Sequence, residues 1–113
     1  MTEARLDSVG HFVSLVQGCL RKGDLLARYG GEEFCLLLPD AGVDDARALA
    51  ERLRAAVEGG PYRNGDTPIA ITTSAGVASV RASDRVLATV VQRADAGLYA
   101  AKRDGRNRVA RLA

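Results

Sequence analysis

Between the apolar runs Leu25-Leu26-Ala27 and Phe34-Cys35-Leu36-Leu37-Leu38 stand two glycines and two glutamates, Gly30-Gly31-Glu32-Glu33. Two strand-like runs around a glycine-rich step make a β-hairpin with these four residues at its tip, so a sheet must be built from this point. Glycine leaves no Cβ between the main chain and an approaching phosphate. Adjacent residues on an extended chain point to opposite faces, so Glu32 and Glu33 can take separate tasks. One carboxylate can hold a divalent cation while its neighbour does something else, an arrangement suited to Mg²⁺ and nucleotide phosphates. Taken alone, the same four residues also fit an ordinary solvated hairpin.

Leu6, Val9, Phe12, Val13, Val16 and Leu20 recur at helical spacing and predict an amphipathic first helix ending near Lys22-Gly23. Pro39 closes the second hairpin strand, and Asp44 is the expected N-cap of a helix with Ala46, Leu49, Ala50, Leu53 and Val57 on one face. Gly59-Gly60-Pro61 stops that helix. Asn64-Gly65 is a turn signal, and 69–80 reads as a long β-rich run. Ser83 can cap a third helix that turns Leu87, Val90, Val91, Ala94, Leu98 and Ala101 inward and ends at Gly105. A strand over about 108–112 completes an order of αββαβαβ. This interleaving predicts an α+β domain with helices packed on a mixed or antiparallel sheet.

The 113 residues suffice for one domain, and 16 basic against 14 acidic residues give a net charge of +2. No block of like charge suggests a nucleic-acid partner, and no apolar run has the length of a membrane span. With no signal-peptide pattern at its start, the chain is expected to be soluble and cytoplasmic. Cys19 and Cys35 lack metal-ligand spacing and read as buried reduced thiols.

Four further stretches bear on function. Arg21-Lys22-Gly23-Asp24 precedes the hairpin, and Thr72-Thr73-Ser74-Ala75-Gly76-Val77-Ala78 is a run of small residues fit for close packing beside the hairpin. The third is Arg93-Ala94-Asp95-Ala96-Gly97-Leu98-Tyr99 with Ala101-Lys102, and the fourth is Gly105-Arg106-Asn107-Arg108-Val109. An arginine can contact the O6/N7 edge of guanine bidentately, and a carboxylate can accept from the N1 and N2 donors. By charge alone, Arg21 and Asp24 are also a plain surface ion pair, and Lys102 and Arg106 also suit a helix C-terminus. Arg47, Glu51, Arg54 and Glu58 read as charge pairs on a helix surface, and His11 as a solvent-facing helix residue.

In order and spacing, the hairpin and these four stretches resemble the GGDEF family of diguanylate cyclase domains, in its GGEEF form. The resemblance implies a ferredoxin-like fold akin to the palm of nucleotide cyclases and polymerases, here as a single partial domain over 1–113. It also implies Mg²⁺-dependent condensation of two GTP into cyclic di-GMP, releasing two pyrophosphates, between the two domains of a homodimer. Carried over by position, Glu32 and Glu33 are catalytic, Glu32 is the metal ligand or the base with Glu33 its partner, and Gly30 and Gly31 form the phosphate-adjacent turn. Lys102 and Arg106 contact the triphosphate, while Arg21 and Asp24, with Arg52 on the next helix, form an RxxD site at which cyclic di-GMP inhibits.

The family's opening strand, with its Asp-x-Asp-x-Phe pattern and second metal carboxylate, is found nowhere in the sequence, and the family's guanine-contacting aspartate aligns with Leu6, one residue from Asp7. Three expectations follow. The chain alone is inactive or nearly so, the sheet lacks its central strand, and the open edges invite swapping or dimerisation. An upstream sensory or regulatory domain is the expected neighbour in a parent protein. The alternative reading is a non-catalytic module that binds cyclic di-GMP through Arg21, Asp24 and Arg52.

Overall fold

The computed structural model describes residues 2–3, 9–30 and 33–111. Phe12 and Val16, one helical turn apart, set the inward face of α1 (Val9–Cys19), and both are fully buried. They meet Leu53 and Val57 of α2 (Val43–Gly59), and Ile71 and Phe34 close the cluster. The rings of Phe12 and Phe34 lie 5.1 Å apart and tilted by 40°, a favourable aromatic pairing.

Strands β1 (Thr2–Glu3), β2 (Leu25–Gly30), β3 (Glu33–Leu37), β6 (Ala75–Gly76) and β7 (Val109–Ala110) form a mixed sheet in the order β2-β3-β1-β6-β7. Strands β4 (Tyr62–Asn64) and β5 (Thr67–Ile69) form a separate hairpin around Gly65, whose φ of 65° suits glycine. Helix α3 (Leu87–Arg103) runs along β6 and β7 and buries Leu98 and Ala101. The sequence therefore folds as the predicted α+β domain.

Several local expectations are corrected. The sheet does not lack a central strand, because β1 stands there, antiparallel to β3 (Thr2↔Phe34, Glu3↔Glu33) and to β6 (Thr2↔Ala75). Two facing edges with main-chain groups to satisfy are joined by any extended segment between them. Helix α1 ends at Cys19, short of Lys22-Gly23, and Leu6 and Asp7 lie outside the described residues. The cap of α2 is Gly42 in extended conformation, while Asp44 and Asp45 sit in the first turn, where the helix dipole favours carboxylates. Val86, rather than Ser83, caps α3, and Leu87 is exposed. Within 69–80, strand pairing is confined to Ile69 and to Ala75–Gly76. The last strand holds Val109–Ala110 of the expected 108–112, and Leu112 lies outside the description. Cys19 and Cys35 are free thiols but only half-buried.

The small-residue run packs closely, although its partner is α3 rather than the hairpin. A Cβ on Gly76 would lie 1.9 Å from the Ala94 carbonyl oxygen and 2.2 Å from the Leu98 nitrogen. Gly97 faces it across the contact.

Candidate functional site

The β2–β3 hairpin pairs in register from Leu25↔Leu37 to Arg28↔Phe34, then shifts so that Gly30 faces Glu33. The shift leaves Tyr29 as the extra residue of a bulge, 62% exposed. Bulges re-aim a strand end and sharpen its twist. Of the residues assigned here from sequence, Gly31 and Glu32 lie outside the described residues. Gly30 ends β2 and is exposed, and Glu33 opens β3 half-buried.

Lys102, on the last turn of α3, brings its Nζ to 3.9 Å from Glu33 Oε1. Two residues singled out from distant motifs thus become neighbours, one anionic and one cationic, beside the tip of the hairpin. Arg106 lies on the exposed turn after α3 with φ of 62°, and its amide donates to the Ala101 carbonyl at 2.9 Å.

Among the described residues, no three His, Cys, Asp or Glu side chains come together as metal ligands. The described carboxylate of the hairpin is Glu33, and Glu3 occupies the register position opposite it on β1. Mg²⁺ needs near-octahedral oxygen ligation, so the described residues alone do not complete a Mg²⁺ site.

The second constellation gathers at the C-terminal end of α1. The Arg21 guanidinium contacts the Asp24 carboxylate at 3.4 Å and donates to the Pro39 carbonyl at 3.3 Å. Arg52, from α2, donates to the carbonyl of Cys19, the last residue of α1, at 3.2 Å. Asp24 is 2% exposed through its side chain. The Arg21 amide, donating at 2.7 Å, holds the Asp24 carboxyl below its ordinary range; partial burial opposes this and the guanidinium adds to it. Arg21 and Asp24 of the expected RxxD site therefore pair, while Arg52 is anchored to the end of α1 two residues before Arg21. Arg21 and Asp24 line an open groove of about 750 Å³ between α1 and β2, with Val13, Leu26 and Arg28.

Three interactions escaped the sequence reading. Arg54 is more than a member of a surface charge row, because it donates to Glu51 and, at 2.9 Å, to Asn107 Oδ1. The Asn107 amide in turn donates to Glu58, so α2 grips the turn that carries Arg106. His11 is half-buried, with its Nε2 2.6 Å from the Gly60 carbonyl and its ring 6.0 Å from that of Tyr62. It ties α1 to the end of α2. Arg93 makes a two-pronged contact with Asp84, each prong 2.7 Å, and donates to Ser79 O at 2.7 Å. The charges in these contacts were visible in the sequence, but no spacing rule pairs residues so far apart.

These features define an α+β domain with a Gly-Gly-Glu-Glu sequence in its hairpin and a lysine from α3 beside Glu33. Residues 8–108 match the family model for the diguanylate cyclase GGDEF domain, and the chain belongs to that family. It is 46% identical over 90 residues to diguanylate cyclase DgcP of Pseudomonas aeruginosa, covering 80% of this chain and 13% of that protein. The active GGEEF domain of a diguanylate cyclase from Vibrio cholerae superposes with a TM-score of 0.86 at 32% identity, covering 95% of this chain and 69% of that one. The GGDEF domain of DgcB from Caulobacter crescentus, solved with cyclic di-GMP, gives 0.83 at 33% identity, covering 92% and 62%. The chain spans about a quarter or less of the length of the curated relatives DgcP and diguanylate cyclase A of Treponema denticola.

Proposed function

We propose that this chain is the nucleotide-handling part of a diguanylate cyclase, joining two GTP into cyclic di-GMP when two such domains face each other. Each domain holds one GTP, and the 3′-hydroxyl of each substrate attacks the α-phosphorus of the other as pyrophosphate leaves. Gly30 and Gly31 form the phosphate-adjacent turn, Lys102 and Arg106 contact the triphosphate, and Glu32 and Glu33 supply the carboxylates. Mg²⁺ neutralises phosphate charge in such a reaction. The chain alone turns over poorly, a reading supported by the lack of an Asp-x-Asp-x-Phe pattern in the sequence.

The observation that carries the regulatory half is the Arg21–Asp24 pair just after α1, with Arg52 from α2 bonded to the carbonyl of Cys19 at the end of that helix. Together they offer cations for phosphate and a carboxylate for the guanine edge, so cyclic di-GMP binds there and inhibits. Calorimetric titration of the chain with cyclic di-GMP is the test. Binding should be saturable and weakened at least about tenfold, ~1.4 kcal/mol, in Arg21→Ala. No heat with the wild-type chain, or equal affinity in the variant, sinks the site. A parallel assay with GTP and Mg²⁺ should give little product, whereas turnover at ordinary enzyme rates overturns the inactivity of the isolated chain. Binding with no turnover even in a longer, dimeric form would favour the receptor reading over the enzyme.

A further inference from the structure

Three consecutive residues after α3 lie in the left-handed region, Gly105 at φ 120°, Arg106 at 62° and Asn107 at 47°. An arginine followed by an asparagine there is strained, and such backbone persists only where its surroundings over-determine it. The entry to the turn is fixed by main chain, the amides of Asp104 and Arg106 donating to the Ala100 and Ala101 carbonyls at 2.9 Å each. The exit is fixed by β6, whose Ala75 amide donates to the Arg108 carbonyl at 3.0 Å. The Arg108 side chain folds back to donate to the Arg106 carbonyl at 3.1 Å.

A further hold comes from another helix. Asn107 presents its side-chain oxygen to Arg54, which donates to it at 2.9 Å, and its amide group to Glu58, to which it donates. Arg54 and Glu58 stand four residues apart on α2, with their charged groups 3.6 Å apart. Glu51 braces Arg54 with contacts of 2.8 and 2.5 Å, so a guanidinium only 18% exposed is held in one orientation. An asparagine side chain offers one acceptor and one pair of donors, and here each side meets the group of matching charge. Glu51 and Glu58 are each 53% exposed, a setting in which ion pairs add little stability. What the network fixes is geometry, and the residue next to Asn107 in the turn is Arg106.

We propose that Arg54 and Glu58 are positioning residues that act through Asn107 to set Arg106 for a bound triphosphate, an inference that rests on the triphosphate contact proposed above for Arg106. A cation whose backbone is fixed before the polyanion arrives loses less freedom on binding, so affinity rises without an added contact.

The test titrates the 113-residue chain and its variants with a fluorescent non-hydrolysable GTP analogue and follows the Arg106 amide by NMR. Arg54→Met should weaken binding about fivefold and shift the Arg106 amide. Combined with Arg106→Ala, it should bind no worse than Arg106→Ala alone, because Arg54 acts only through that residue. Glu58→Gln keeps an acceptor for the Asn107 amide and should restore most of the affinity lost in Glu58→Ala. Losses that multiply in the double variant, equal affinity of Glu58→Gln and Glu58→Ala, or an unmoved Arg106 amide would overturn the proposal. Should Arg54→Met fail to fold, the two Glu58 variants, changed at an exposed site, decide the question by themselves. Wild-type affinity in Arg106→Ala is a different failure, since it removes the triphosphate contact itself and any role of Arg54 in binding with it.

Discussion

Gly76 of β6 and Gly97 of α3 meet main chain to main chain, for a Cβ on Gly97 would lie 3.1 Å from the Gly76 Cα and 2.9 Å from the Ala110 carbonyl oxygen. Neither neighbour is a flexible side-chain tip that could swing aside. Gly76→Ala forces α3 off the sheet and should cost about 3 kcal/mol, the upper end for overpacking. Gly97→Ala should cost less, because about 1 kcal/mol of helix propensity returns. Urea denaturation of both variants checks the order, and a Gly76→Ala chain as stable as wild type would contradict the contact.

The Asp84 to Arg93 contact makes stability depend on acid. Two hydrogen bonds from the Arg93 guanidinium, assisted by the Arg81 amide at 2.6 Å and opposed by partial burial, hold the Asp84 carboxyl far below its ordinary range. A depressed folded pKa gives stability that is fully present above the unfolded value, near 4, and is lost as pH falls toward the folded one. Asp84→Asn should therefore be less stable than wild type at pH 7, with the gap narrowed but not closed at pH 3. Denaturation of both proteins at the two pH values measures it, and a gap independent of pH would remove the charge from the account.

Asn107 combines a φ of 47° with side-chain bonds to Arg54 and Glu58. Asn107→Ala and Asn107→Gly both lose those bonds, but glycine adopts the left-handed conformation without strain. The glycine variant should be the more stable of the two by about 1 kcal/mol. Equal stability, read from thermal denaturation, would mean that the turn relaxes away from this conformation.

Lys102, 3.9 Å from Glu33, bears directly on the triphosphate proposal. Lys102→Ala should weaken binding of a non-hydrolysable GTP analogue about tenfold, ~1.4 kcal/mol. Unchanged affinity by fluorescence titration would take Lys102 out of the phosphate site.

The hairpin, the three helices and the inward faces of α1 and α2 were legible in the sequence because each follows a local rule of spacing or turn chemistry. Helix caps were less so. Asp44 and Ser83 are good cap residues by type, yet Gly42 and Val86 stand at those positions, neither helix having a side-chain cap hydrogen bond. The long β run over 69–80 shrank to short pieces, because a strand needs a neighbour as well as a propensity. At the site, Lys102 was singled out through its motif, but its approach to Glu33 comes from the fold and no motif announced it. His11, Arg54 and Arg93 were misread or passed over, because their partners Gly60, Asn107 and Asp84 come from elsewhere in the fold.

The short central strand also bears on how the domain comes apart. On one side β2 and β3 share a core with α1 and α2, and on the other β6 and β7 share one with α3. Thr2 is the residue whose pairing bridges the two sides of the sheet. The two halves are also joined away from the sheet, because α2 packs against β7 and its Arg54 and Glu58 hold Asn107. Hydrogen exchange should therefore show the amides of both halves losing protection together when Gly76 is replaced by alanine.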